Sequence, residues 1–117
     1  LVDAPCSASG TWRRHPFLRH QTTPAVINKY VHEQVRLLER ASLFVAAGGR
    51  LVYSTCSLSR HENEGVLAAF LRKYREFEIE PPRFNPGLEL APSGAVTIMP
   101  SALDSDGYFL ACMRRKT

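Results

Sequence analysis

Between about Ala25 and Ala46, apolar positions return at helical spacing. Val31, Val35, Leu38, Ser42 and Val45 fall on one face, and Leu37, Ala41 and Phe44 widen it. The Gly48-Gly49 pair that follows predicts the helix stop. Upstream, Leu1-Val2-Asp3 is an apolar pair running straight into a turn, which predicts a buried strand entered from its middle and ending near Asp3. Leu1 is therefore expected to be a boundary inside a larger domain. Ala4 to Thr11 is rich in Pro, Ser and Gly and predicts a tight loop, and residues 12–23 read as a polar, basic connection. Leu51-Val52-Tyr53 is a short β-prone run, too apolar for a half-exposed strand and so expected at the centre of a sheet.

Ser59 with Glu62 three positions on has the form of a capping box, and Val66, Leu67, Phe70, Leu71 and Tyr74 give the helix it would open a buried face. Phe77-Glu78-Ile79 reads as another strand. Prolines and a glycine make 81–94 a loop, and Val96–Met99 and Tyr108–Met113 read as closing strands around Asp106-Gly107. Alternating strands and helices joined by short connections imply an α/β chain, half of a doubly wound parallel sheet with right-handed crossovers, ending in an antiparallel hairpin. Such sheets bind ligands beyond the carboxyl ends of their strands, where Asp3-Ala4-Pro5-Cys6 and Ser54-Thr55-Cys56-Ser57 lie. If the two strands are neighbours, about 4.8 Å apart, both thiols can face one planar ligand.

Composition narrows the class without naming a function. The chain has 117 residues, 44% hydrophobic and 22% charged, which suits one globular domain and excludes a disordered tail. No apolar run is long enough to span a bilayer and no signal peptide is evident, so a cytoplasmic chain with reduced thiols is expected. Cysteines at 6, 56 and 112 are odd in number and widely spaced, which indicates neither a disulfide framework nor a zinc knuckle. The histidines make no metal-ligand pattern either, so no metal is expected. The net charge of +4 permits a polyanionic partner. Arg13, Arg14, His15, Arg19 and His20, mixed with Trp12 and Phe17, suit phosphates and stacked bases, although a solvated basic loop would have the same composition.

The order Asp3-Ala4-Pro5-Cys6-Ser7-Ala8-Ser9-Gly10-Thr11, Arg13-Arg14-His15-Pro16, Gln34-x-x-Leu37-Leu38-x-x-Ala41, Gly48-Gly49-x-Leu51-Val52-Tyr53-Ser54-Thr55-Cys56-Ser57 resembles the Sun-type RNA 5-methylcytosine methyltransferases. Glu62-Asn63-Glu64 and Asp106-Gly107-Tyr108-Phe109 continue the likeness over nearly the whole chain. The resemblance implies the C-terminal half of a Rossmann-like class I methyltransferase domain, with residues 1–117 as a partial catalytic domain. It implies transfer of a methyl group from S-adenosylmethionine to C5 of cytosine in ribosomal or transfer RNA. Cys56 would be the nucleophile that adds to C6, Cys6 would assist release of the product, and Asp3 would contact both the cytosine edge and the cofactor. Pro5 would stiffen the turn that presents Cys6 and, with Arg13, Arg14 and His15, would contact RNA. A DNA cytosine methyltransferase also uses a Pro-Cys motif, but the Thr-Cys-Ser and Arg-Arg-His-Pro segments favour the RNA group.

Each assignment has a plainer rival. Asp3 could close an Asx turn at the strand end. One arginine, Arg14 rather than Arg13, could form an internal salt bridge, and Trp12 could simply anchor the loop. Cys112, inside an apolar strand, is expected to be a buried, inert thiol. Two sources of stabilisation are expected at the crevice: the positive end of a helix near Ser59 for a Cys56 thiolate, and backbone donors of Ser7 to Thr11 for a nucleotide. The glycine-rich turn and the acidic residue that hold most of the cofactor in such sheets are absent from this sequence, so weak cofactor binding and no turnover are expected of these residues alone. An open sheet edge predicts self-association. The competing reading is a non-catalytic RNA-binding module working through its basic loop.

Overall fold

The computed structural model describes residues 1–82, 93–103 and 105–117. In chain order the elements are β1 (Val2–Asp3), α1 (Leu18–Gln21), α2 (Pro24–Ser42), β2 (Arg50–Thr55), α3 (Glu64–Lys73), β3 (Phe77–Ile79), β4 (Val96–Ile98), α4 (Pro100–Leu103) and β5 (Tyr108–Arg115). β1 and β2 pair in parallel, with Asp3 opposite Ser54. β5 runs antiparallel to β2 from Arg50↔Arg114 to Thr55↔Phe109. The strand order is β1-β2-β5-β3, and β4 also pairs with β5. The chain thus has the mixed α/β, Rossmann-like architecture that the alternation predicts, but β5 lies inside the sheet rather than at its end. Its two neighbours on the far side divide its length, β4 along Tyr108 to Leu110 and β3 along Met113 to Arg115.

The core covers one face of this sheet. Leu51 and Tyr53 of β2 and Phe109, Ala111 and Met113 of β5 meet Leu38 of α2 and Val66, Leu67 and Phe70 of α3. Alternation along β2 and β5 places every second side chain there, as an extended chain must. Phe70 stacks on Tyr74 with centroids 4.8 Å apart and tilts against Phe77 at 5.3 Å, while Tyr53 meets Phe109 edge-on at 6.3 Å. Val52, Leu110 and Cys112 point to the opposite face and are only half-buried. Cys112 is therefore not the fully buried thiol its apolar context suggests.

Two local expectations fail for tertiary reasons. α2 opens on Thr23, whose hydroxyl accepts from the Val26 amide, with Pro24 at the first helical position. It stops at Ser42, short of the glycine pair, and Ser42 Oγ turns back to the Glu39 carbonyl. The following turn is drawn onto β5: Gly48 donates to the Arg115 carbonyl at 2.7 Å, and Arg115 donates to Gly49 O and Val45 O. Gly48 makes this turn at φ +78, and Leu43 and Phe44 are left exposed outside the apolar stripe.

The Ser59/Glu62 pair is not a capping box. α3 begins later, at Glu64, and the Glu62 side chain turns inward. The basic connection contains a single helical turn, α1, and α4 separates β4 from β5. The loop predicted over 81–94 lies largely outside the described residues. No helix among the described residues is long and apolar enough to cross a membrane.

Candidate active site

β1 and β2 end side by side, and the loops leaving them carry the two cysteines. The Ala4 amide extends the ladder to the Ser54 carbonyl at 2.9 Å, so both chains leave the sheet in register. Cys6 Sγ and Cys56 Sγ then lie 3.3 Å apart, within hydrogen-bond distance for sulfur, and both are partly exposed. One proton between two sulfurs separates their acidities. The hydrogen bond to Cys56, reinforced by burial, pushes the Cys6 thiol far up, so Cys6 keeps the proton. The same bond brings the more open Cys56 down to about 7, against burial and the negative charges of Asp3 and Glu62. The Cys6 thiol thus takes the part expected of a helix end near Ser59.

Asp3 is exposed at the end of β1, where Ser54 Oγ donates to its carboxylate at 2.9 Å across the strands. Its partner is cross-strand rather than the amide of an Asx turn. Pro5 is exposed, and its carbonyl accepts from Gln34 Nε2 of α2 at 2.9 Å. Arg14 forms a two-point ion pair with Asp106, Nε to Oδ1 at 3.0 Å and Nη2 to Oδ2 at 2.5 Å. That is the internal role set out for it above, and it raises the guanidinium and lowers the carboxyl. Arg13 and His15 stand exposed on the same loop, with His15 edge-on to Phe17 at 6.0 Å. Trp12 is half-buried, and its enclosed indole N–H has no partner among the described residues.

Three of the loop amides expected to face a nucleotide, those of Ser7, Gly10 and Thr11, are engaged internally. Ser7 N donates to Glu62 Oε1, Gly10 N to the Cys56 carbonyl, and Thr11 N to Ala8 O. Gly107 N donates to Gly10 O at 2.8 Å, so the loops after β1 and β2 and before β5 are joined at one point. A Cβ on Gly10 would lie 2.2 Å from the Gly107 oxygen and 2.6 Å from the Cys56 oxygen, so only glycine fits that junction. Ala8 holds a left-handed conformation at φ 57 to complete the turn.

Beneath the thiols lies a buried polar layer that sequence reasoning did not find. Glu62, fully buried, accepts from Ser7 Oγ at 2.6 Å, Ser57 Oγ at 2.5 Å, Ser7 N at 2.8 Å and Gln34 Nε2 at 3.2 Å. Asn63 bridges Thr55 Oγ1 and the Ser57 carbonyl. The available signal was Gln34, a polar residue on the buried stripe between Val31 and Leu38. A separate cleft of about 520 Å3, between the start of α2 and the turn before α3, is lined by Ile27, Asn28, Val31 and His61 and includes neither cysteine. Among the described residues no group of three or more His, Cys, Asp or Glu side chains could hold a metal ion.

Two apposed thiols thus stand at the carboxyl ends of neighbouring parallel strands, on a sheet of the Rossmann-like methyltransferase fold class with an interior antiparallel strand. Residues 1–114 match the family model described as 16S rRNA methyltransferase RsmB/F, and the chain belongs to that family. It is 38% identical over 115 residues to ribosomal RNA small subunit methyltransferase B of Thermus thermophilus, covering 98% of this chain and 28% of the relative. It is 37% identical over 116 residues to ribosomal RNA small subunit methyltransferase F of Shewanella sp. (strain ANA-3), covering 95% of this chain and 24% of the relative. The crystal structure of NSun6 from Pyrococcus horikoshii with SFG superposes with a TM-score of 0.82 at 29% identity, over 99% of this chain and 29% of that one. The chain therefore spans about a quarter of the length of the curated relatives it matches.

Proposed function

We propose that these residues form the thiol-bearing part of an S-adenosylmethionine-dependent RNA cytosine-C5 methyltransferase acting in the cytoplasm on ribosomal or transfer RNA. The observation that carries this reading is the 3.3 Å contact between Cys6 and Cys56, with their acidities driven apart. C5 of cytosine is a weak nucleophile. Addition of the Cys56 thiolate to C6 forms an S–C bond and moves the C5–C6 π electrons to C5, which becomes enamine-like. When bound, S-adenosylmethionine supplies the methyl group that C5 takes. The C5 proton then leaves, the C5–C6 double bond re-forms and the Cys56 thiolate departs. Cys6 stays protonated against the departing sulfur and assists that release.

Asp3 suits the donor, because an exposed carboxylate at a strand end can face a cationic ligand. SFG, an S-adenosylmethionine analogue, accompanies the NSun6 neighbour and supports use of that cofactor. Arg13 and His15 would face RNA from the exposed loop and Pro5 would stiffen the turn under Cys6, while Arg14 holds the loop to Asp106. These 117 residues contain no glycine-rich cofactor turn, so alone they are expected to bind the cofactor weakly and not to turn over.

The test is a denaturing gel of the full-length protein with cytidine-containing RNA and S-adenosylmethionine. An RNA–protein adduct that accumulates in Cys6→Ala and vanishes in Cys56→Ala is the expected outcome. RNA binding with neither adduct nor methylation in any variant would favour the binding-module reading.

A further inference from the structure

We infer that Glu62 is a positioning residue whose buried carboxylate clamps the two cysteine loops to each other and so sets the contact between their thiols. The inference rests on the proposed role of the thiols for its catalytic consequence, but not for its geometry. Glu62 is fully buried, and the donors that reach its side chain, from Ser7, Ser57 and Gln34, are all uncharged. An ionised carboxylate in that setting needs its acceptor positions filled, and here four donors fill them. Where those donors come from is the informative feature. Ser7, adjacent to Cys6, gives both its amide and its hydroxyl, and Ser57, adjacent to Cys56, gives its hydroxyl. Gln34 gives one amide hydrogen to Glu62 and the other to the Pro5 carbonyl, one residue before Cys6.

One carboxylate therefore grips each cysteine one residue away and ties both to α2. Its backbone is fixed in turn, because the phenolic Oη of Tyr53 donates to the Glu62 carbonyl at 2.7 Å. Besides the Glu62 bonds, the cysteine loops are joined by serine contacts at 3.3 Å and by Gly10 N to Cys56 O and Leu58 N to Ser9 Oγ. Those last two lie beyond the thiols, so without Glu62 the near side of the contact loses its charged acceptor.

The test is the rate at which diamide closes a Cys6–Cys56 disulfide in the full-length protein, read as a loss of two mass units. The two thiols lose two protons and two electrons to the azo group, which becomes a hydrazine, and an S–S bond forms. Glu62→Gln, which preserves shape but sets an amide among the four donors, is expected to slow closure about tenfold, with native circular dichroism, as loss of a charge-assisted hydrogen bond should. Glu62→Gln also removes a charge that pushes the Cys56 thiol up, so the alkylation readout belongs to Ser7→Ala, where that charge stays: loss of the Cys6 contact there should raise the pH midpoint of Cys56 alkylation, a change that lowered stability alone would not produce. Closure at the wild-type rate in folded Glu62→Gln would overturn the inference. If that variant does not fold, Ser7→Ala and Ser57→Ala decide the matter: each should slow closure, and wild-type rates in both would overturn it. Disulfide closure needs neither RNA nor cofactor, so a wild-type protein that closes the bond but never methylates RNA would sink the proposed function and leave the clamp standing.

Discussion

Cys56 owes its acidity chiefly to one neighbour, helped by a backbone hydrogen bond at Cys56 itself. Its midpoint near 7 follows from the Cys6 hydrogen bond, while Asp3 and Glu62 push the other way. Iodoacetamide labelling of Cys56 against pH should therefore show a midpoint near 7 in the wild type. Cys6→Ala should move it toward the ordinary thiol value of about 8.5, and Asp3→Asn should lower it further by removing a repelling charge. An unchanged midpoint in Cys6→Ala would remove the physical basis for assigning Cys56 as the nucleophile.

Arg13 and Arg14, adjacent in sequence, should behave differently. Arg14 is committed to Asp106, so Arg14→Gln should loosen the loop, whereas Arg13→Ala should reduce the salt dependence of RNA binding by about one phosphate contact. The Asp106 carboxyl is held below its usual range by Arg14. Its contribution to stability is therefore present above the unfolded carboxyl value of about 4 and lost as pH falls through the folded one. Acid titration of loop opening should show this component in the wild type and not in Arg14→Gln.

At the scale of elements, the junction of Gly10, Cys56 and Gly107 admits no side chain. Gly10→Ala should cost about 1–3 kcal/mol by overpacking against backbone, measured by chemical denaturation, and should separate the thiols as well. Phe70→Ala should cost about 3–5 kcal/mol through a core cavity alone, without affecting the alkylation midpoint of Cys56. The two long helices and the strands, though not the single turns α1 and α4, were legible in the sequence, because the periods of α2 and α3 and the β-prone runs at Leu51 and Tyr108 are local signals. So was the meeting of Asp3, Cys6 and Cys56, which follows from two parallel strands with short loops. The end of α2 was not legible, since the turn after Ser42 answers to Arg115 on β5. Nor was Glu62: Ser-x-x-Glu reads the same whether the carboxylate returns to its own helix or turns toward Ser7 and Gln34, and only distant residues decide between the two.

For the molecule as a whole, β1 stands at the edge of the sheet and is two residues long. An unpaired edge of this kind is a template for another strand, and we expect these 117 residues to associate as dimers or larger species. Sedimentation velocity at micromolar concentration checks this, and a single monomer boundary would refute it. The position of β5 bears on how the protein is made. During synthesis β2, β3 and β4 all emerge before Tyr108, yet each of them pairs with β5. A ribosome that has not yet released residues 108–115 therefore holds a chain whose sheet cannot close, and whose Gly10 junction still waits for Gly107. Premature termination anywhere in that stretch would leave both cysteines present but the sheet beneath them unfinished, so the same segment that completes the fold also completes the site.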